Sequence, residues 1–313
     1  MTIRKIIIDT DPGQDDAIAI LLAIASPENL EILGITAVAG NVPLSQTQHN
    51  IRAVCELAGF DAINVYAGCN KPMLRTLATA EHIHGKTGLG GADLPCPQMP
   101  LQDTHGVDYI INTLRKEPQD TVTLCTLGPL TNIATAFTRA PSVVRRTQEI
   151  IMMGGAYFEV GNVTPTAEFN IFVDPEAAKI VFNSGIPIVM LPLDVTHKAL
   201  VTENRQTAIQ ALETPVSKVV ANWTGFYERF DIEKYGSLGA PLHDPCVIAY
   251  LIQPSLFSGR FLNVEIETQS DLTMGMSVAD WWGVTNRTPN TKFISDLNDN
   301  DFFDLLTKRL ARL

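Results

Sequence analysis

Cysteine is scarce and shows no pairing pattern. Cys55, Cys69, Cys96, Cys125 and Cys246 are odd in number, and no two stand at C-x-x-C spacing. A thiolate zinc centre has no support, and in a chain of 313 residues a disulfide framework is not expected; reduced, mostly buried thiols are the expectation. Positive charge is short as well: 23 Lys and Arg stand against 34 Asp and Glu, a net charge of −11. Basic pairs such as Arg145-Arg146 are too short to match a phosphate backbone, so nucleic acid is not an expected partner. No run of about 18 uncharged apolar residues exists, so no membrane-spanning helix is expected. The first apolar run, Ile6-Ile7-Ile8, stops at Asp9 and is too short for a signal peptide. The chain reads as cytoplasmic, with no membrane partner. Internal repeats, low-complexity tracts and linkers are also missing, so residues 1–313 read as one domain.

What is present is an alternation of short apolar runs with longer amphipathic stretches. Strands are expected at Lys5–Ile8, Leu30–Ala39, Ile63–Tyr66, Thr121–Thr126, Glu149–Met153 and Ile186–Leu193. Helices are expected at Asp15–Ile24, Ser45–Leu57, His105–Arg115, Ile133–Ala140 and Pro175–Asn183. This order gives an α/β fold with a mainly parallel sheet flanked by helices. Between them, Lys71 to Thr104 reads as one long loop rich in Gly, Pro and His, a length that usually marks function. The last third changes character. Glu203–Phe230 reads as helix with a break at Pro215, Val247–Leu251 as helix and Phe302–Leu313 as a terminal helix. Arg260–Glu267 and Met276–Ala279 read as a small antiparallel pair.

The chemistry concentrates at strand ends. Asp9 and Asp11 lie two apart after a buried strand, so they point the same way. Pro12-Gly13 then forces a turn, and Asp15 and Asp16 open a helix whose dipole favours negative charge. Helix capping accounts for Asp15 or Asp16 but not for two acids at the end of an apolar strand. At an effective dielectric of ~20, a close carboxylate pair costs up to about 4 kcal/mol, which a hard divalent cation removes. Other strand ends add Gly40-Asn41, Leu127-Gly128-Pro129, Met153-Gly154-Gly155, Gly161-Asn162 with Glu168-Phe169-Asn170, and His243-Asp244-Pro245. Singly these are turn residues, caps or a core histidine. Together they converge on one polar pocket beyond the carboxyl ends of the strands.

These segments carry a resemblance. The D-x-D-P-G-x-D-D of Asp9–Asp16, the V-A-G-N strand end, G-P-L-T-N, M-G-G-A, the Ala167–Ala178 block and His243-Asp244-Pro245 occur in the order found in nucleoside hydrolases of the inosine–uridine-preferring superfamily. The match runs over essentially the whole chain. Leu193–Ala199 and Gly239–Cys246 resemble the bacterial pyrimidine-preferring ribonucleoside hydrolases most. The resemblance implies a Rossmann-like fold and hydrolysis of the N-glycosidic bond of a ribonucleoside, a small-molecule substrate. It implies one Ca²⁺ per subunit, held by Asp11, Asp16, Asp244 and the Leu127 carbonyl, with Asp11 accepting a proton from water. Asp15, Asn41, Glu168 and Asn170 would hold the ribose, with Met153 and Asn162 nearby. His243 and His84 would face the base, His243 as proton donor. A homo-oligomer is implied too, a tetramer ahead of a dimer.

Two loops, Lys71–Gly91 and Tyr227–Tyr235, are expected to contact the base. An extended segment would point His82 and His84 the same way, with His84 fitting the local pattern better. Tyr227, Arg229 and Tyr235 are candidates to close over it. Rival readings explain less. A phosphatase of the haloacid dehalogenase type shares D-x-D after its first strand but leaves Asp15-Asp16 and His243-Asp244 without a role. A non-catalytic nucleoside binder has no need of Asp11.

Overall fold

The computed structural model describes residues 3–235 and 238–313, and for 227–235 the backbone alone. The first half runs β1 (Arg4–Thr10), α1 (Gln14–Ile24), β2 (Leu30–Ala37), α2 (Leu44–Leu57), β3 (Val65–Ala67), α3 (Glu81–His84), β4 (Leu101–Gln102) and α4 (Gly106–Lys116). Next come β5 (Val122–Thr126), α5 (Thr131–Arg139), β6 (Thr147–Met153), α6 (Phe169–Val173), α7 (Pro175–Phe182), β7 (Ile188–Leu191) and α8 (Leu193–Thr196). The last part holds β8 (Leu200–Val201), α9 (Glu203–Gln210), α10 (Pro215–Tyr235), β9 (Ala240–Pro241) and α11 (Pro245–Ile252), then β10 (Phe257–Leu262), β11 (Val264–Ile266), β12 (Ser277–Ala279), β13 (Thr291–Leu297) and α12 (Asp299–Leu310).

Nine strands form one sheet in the order β10-β13-β7-β6-β5-β1-β2-β3-β4. All neighbours are parallel except the edge pair β10 and β13. From β1 the chain winds to one edge through β2 and β3; from β5 it winds to the other through β6 and β7. The helices that follow these two strands therefore leave to opposite faces. α1 packs in one core layer with Ile6 and Ile8, and α5 in the other with Ile7. That divergence opens a crevice at the carboxyl ends of β1 and β5, where parallel sheets bind ligands. Every residue of α1 is buried, which explains an apolar run with no polar face.

The mainly parallel α/β sheet is as expected, and so are the break at Pro215 and the small antiparallel pair, observed as β11 with β12. Four details differ. The run read as one strand over Arg260–Glu267 is two, parted at Asn263. β13 was not foreseen, because Lys292 and Asp296 interrupt its apolar pattern; it adds a parallel strand beside β7. The strand expected to reach Leu193 stops at Leu191, and Leu193–Thr196 turns into a short helix. The loop from Lys71 to Thr104 contains α3 and β4, so His82 and His84 stand on a helical turn and not on an extended segment. Among the described residues no helix is long and apolar enough to cross a membrane.

Candidate active site

The floor of the crevice is built on β1. Just past its last residue the Asp11 carboxylate is boxed in. Its Oδ2 accepts from the Asn41 amide at 2.6 Å. Gly40 and Gly128 flank it, and a Cβ on either would collide with one of its two carboxylate oxygens. This gives a steric reason for the Gly in both the A-G-N and L-G-P strand ends. Asp16, in the first turn of α1, is equally fixed. It accepts from Thr10 Oγ1 at 2.5 Å, the Gly13 amide at 2.9 Å and Asn41 Nδ2 at 3.3 Å. Asn41 Nδ2 also donates to the Asp11 carbonyl at 3.2 Å.

Asp244 arrives from the far end of the chain at the start of α11. Asp15, Asp16 and Asp244 can each place an oxygen within 4.8 Å of the others. Solvent barely reaches the group: Asp11 and Asp16 are 0% exposed, Asp244 3% and Asp15 6%. Burial first, and then the Asp16 and Asp15 charges, push the Asp11 carboxyl well above the usual range. Burial and Asp16 raise Asp15 to about 7. Burial raises Asp16, and burial with the neighbouring carboxylates raises Asp244 well above its ordinary value. Among the described residues no Lys or Arg forms an ion pair with any of the four. Asp11 Oδ1 is buried without a hydrogen-bond partner. Buried carboxylates that lack a cation and repel one another form the donor set a hard divalent ion takes.

The walls are polar and equally braced. Glu168 caps α6, accepting from the amides of Gly155 at 2.8 Å, Asn170 at 2.8 Å and Ile171 at 3.3 Å; burial still raises it to about 7. Asn170 Nδ2 donates to the Leu127 carbonyl at 2.6 Å and to Met153 O at 3.3 Å. Asn162 Oδ1 accepts from the Phe169 amide at 2.9 Å. A cavity of about 260 Å³ is lined by Asp15, Asn41, Leu127, Met153, Asn162, Glu168, Asn170 and Asp244, and also by His82, His84 and His243. Asp11 and Asp16 lie beneath that lining. The structure thus brings together every residue singled out for metal or ribose. It groups Asp15, and not Asp11, most tightly with Asp16 and Asp244.

The two histidines differ in support. His243 Nδ1 lies 2.7 Å from Thr196 Oγ1. Burial, then His197 and His84, hold its pKa well below the ordinary value. His84 lies against Gly13, leaving no room for a Cβ there, and burial with His82 lowers it to about 4. The side chains of Tyr227, Arg229 and Tyr235 lie outside the described residues.

The model of the inosine-uridine preferring nucleoside hydrolases matches residues 6–304. The chain belongs to that family. It is a ribonucleoside hydrolase, acting on the N-glycosidic bond. An uncharacterized protein of Schizosaccharomyces pombe is 54% identical over 309 residues, 99% of each chain. The pyrimidine-specific ribonucleoside hydrolase RihA of Citrobacter koseri is 45% identical over 307 residues, 98% of this chain and 97% of its own. Among solved structures, the purine-preferring ribonucleoside hydrolase from Gardnerella vaginalis superposes with a TM-score of 0.92 at 32% identity, over 99% of this chain and 98% of that one.

Four supporting residues were given no role from the sequence. Asn132, at the start of α5, donates to Asp9 Oδ1 at 2.7 Å and accepts from the Cys69 amide at 2.7 Å, tying β1 to the loop after β3. Asp9 is thereby anchored by Asn132 at the end of β1. Asp194 accepts from three successive amides, Tyr157 to Glu159, and so fixes the segment after Gly155. Thr196 orients His243, and Gln14 grips His84. Only the tight spacing of Gln14 and Asn132 within their motifs offered a signal.

Proposed function

We propose that this enzyme hydrolyses pyrimidine ribonucleosides, uridine and cytidine, to free base and ribose for nucleoside salvage, with one Ca²⁺ at the aspartate floor. The observation that carries the mechanism is the buried, unpartnered Oδ1 of Asp11 beside a cavity into which Asp15, Asn41, Glu168, Asn170 and Asp244 bring oxygen atoms. Asp11, Asp16, Asp244 and the Leu127 carbonyl would hold the ion, with Asp15 close enough to share that task. Bound there, Ca²⁺ would supply Lewis acidity that acidifies and orients a water and a ribose diol.

The remaining work falls to side chains. Asp11 Oδ1 takes the proton of the attacking water. Asp15, Asn41, Glu168 and Asn170 hold the ribose hydroxyls, with Met153 and Asn162 beside the sugar. Breaking the bond builds oxocarbenium-like charge on the ribose, and a pocket rich in carboxylates favours it. The departing base gathers negative charge, which a hydrogen bond from His243 disperses. Burial favours the neutral ring, so this role uses Nε2–H, with the Thr196 hydroxyl donating to Nδ1.

The pyrimidine preference rests on the likeness to RihA of Citrobacter koseri, 45% identical. Initial rates on uridine, cytidine, inosine and adenosine at equal concentration, read as free base, test it. Uridine and cytidine should lead. Inosine turning over faster than both would remove the pyrimidine reading.

A further inference from the structure

Gln14 is the one polar side chain of the D-P-G-x-D-D turn that the floor does not use. It is 2% exposed and points away from the aspartates toward the segment after α3. Its Nε2 lies 3.1 Å from the His84 carbonyl and 3.1 Å from the Gly90 carbonyl. Its Oε1 lies 2.6 Å from His84 Nδ1. The orientation of this amide is settled by its partners. Two backbone carbonyls can only accept, so the NH₂ group must face them, and Oε1 must face the imidazole. An amide oxygen carries no proton. The hydrogen at Nδ1 therefore belongs to the ring.

We propose that Gln14 is a positioning residue that fixes His84 as its Nδ1–H tautomer, so that His84 meets the base through Nε2 as a hydrogen-bond acceptor and reads an N–H group. The ring cannot turn to escape this. It lies against Gly13, where even a Cβ would overlap Nδ1 and Cε1, and its backbone is held by the same glutamine. His84 and His243 then divide the work at one cavity. His84 cannot give its pocket-side nitrogen's proton to a leaving base, because that nitrogen has none; donation is left to His243. In uridine the one base N–H is N3–H, and in cytidine the 4-amino group serves. The substrate half of this inference rests on the pyrimidine reading above; the tautomer half does not.

The ring-nitrogen NMR of the ¹⁵N-labelled, Ca²⁺-loaded protein tests the tautomer, with His84 assigned by its loss in His84→Gln. A protonated-type shift at Nδ1 and an unprotonated-type shift at Nε2 are expected; the reverse would overturn the proposal. Gln14→Met, similar in volume, should give a mixture of tautomers and raise KM for uridine about tenfold, the worth of one hydrogen bond, with a much smaller change in kcat. Gln14→Glu keeps the acceptor but loses both carbonyl contacts, so it should retain Nδ1–H; loss of that tautomer would show that loop anchoring and not Oε1 fixes it. N3-methyluridine should be about a hundredfold poorer than uridine by kcat/KM in the parent enzyme, the cost of an unmet buried polar group, and Gln14→Met should narrow the gap. Equal rates on the two nucleosides would overturn the base readout while leaving pyrimidine hydrolysis intact. No uridine cleavage beside rapid inosine cleavage would overturn the readout together with the pyrimidine reading, whatever the tautomer.

Discussion

The cavity has a floor and a rim made in different ways. The floor hangs from strand ends. Asp11, Asp16 and Asn41 are tied to one another within one turn of β1, α1 and β2, and glycines at two neighbouring strands leave Asp11 no freedom. The rim is made of connections. α3 is a single turn; the glycines after it, Gly85, Gly90 and Gly91, rest on the Phe226 ring of α10, and Gln14 is the bolt between rim and floor. The floor collects charge that no Lys or Arg among the described residues pairs with, whereas the rim collects rings and amides. Under the proposed function the contrast separates two tasks, chemistry below and selection of the base above. Substitutions in the two regions should therefore fail differently.

The largest expected effect is on the floor. Asp11→Asn keeps the shape and removes the proposed base, so kcat should fall about 10⁴-fold, the upper range for a lost general base. The metal-free variant should melt no lower than the parent, because one of four repelling buried carboxylates has been neutralised. A retained kcat would take proton abstraction away from Asp11. Next comes the point where the regions meet. His243→Ala should lower kcat on uridine about 10²-fold or more, and full activity there would end its role as donor to the leaving base.

The floor's charge also predicts a pH dependence of stability. Asp15 and Glu168 have folded values of about 7, raised above their ordinary values chiefly by burial. For such raised carboxyls, the stability of the metal-free protein is full below the unfolded pKa and is lost as pH rises through about 7. With Ca²⁺ held as proposed, the ion would offset the ionised form, so its gain in Tm should be greater near about pH 8 than near about pH 6. Thermal melts with Ca²⁺ and with chelator at both values measure this. An equal gain at the two would place the ion elsewhere than among these acids.

How much was legible follows the same division. The floor was readable because strand-end acids are close in sequence or bear motifs, and period-two geometry places them. Asp9 was the exception. It lies on β1, just before Asp11, but is claimed by Thr36 and Asn132, partners 27 and 123 residues away, which no spacing rule brings forward. The rim was legible only as a stretch of Gly, Pro and His. Whether His82 and His84 point together depends on α3 being helical, and a four-residue helix has too short a periodicity to show. The grip of Gln14 on His84 spans 70 residues, a separation that no spacing rule bridges.

Rim substitutions should change binding before chemistry. Gly13→Ala drives a methyl into the His84 ring, which Gln14 prevents from yielding. KM for uridine should rise about tenfold with kcat changed far less, because a single ordered contact to the base is lost. A drop in kcat of the Asp11 kind would show that rim and floor are not separable.

The mildest test is Phe226→Ala. Its ring supports Gly85, Gly90 and Gly91 but is 37% exposed, so only part of its apolar area is withdrawn from water. At ~25 cal/mol per Å² that part is worth on the order of 1 kcal/mol, a fall in Tm of about 2 °C in a chain this long. The loop after α3 would lose its backing while Gln14 still holds it from beneath. KM should then rise by about two- to threefold, less than for any change at Gln14 or Gly13, since no hydrogen bond is removed. A larger rise than in Gly13→Ala would mean that α10, and not the turn at the start of α1, sets the position of the rim.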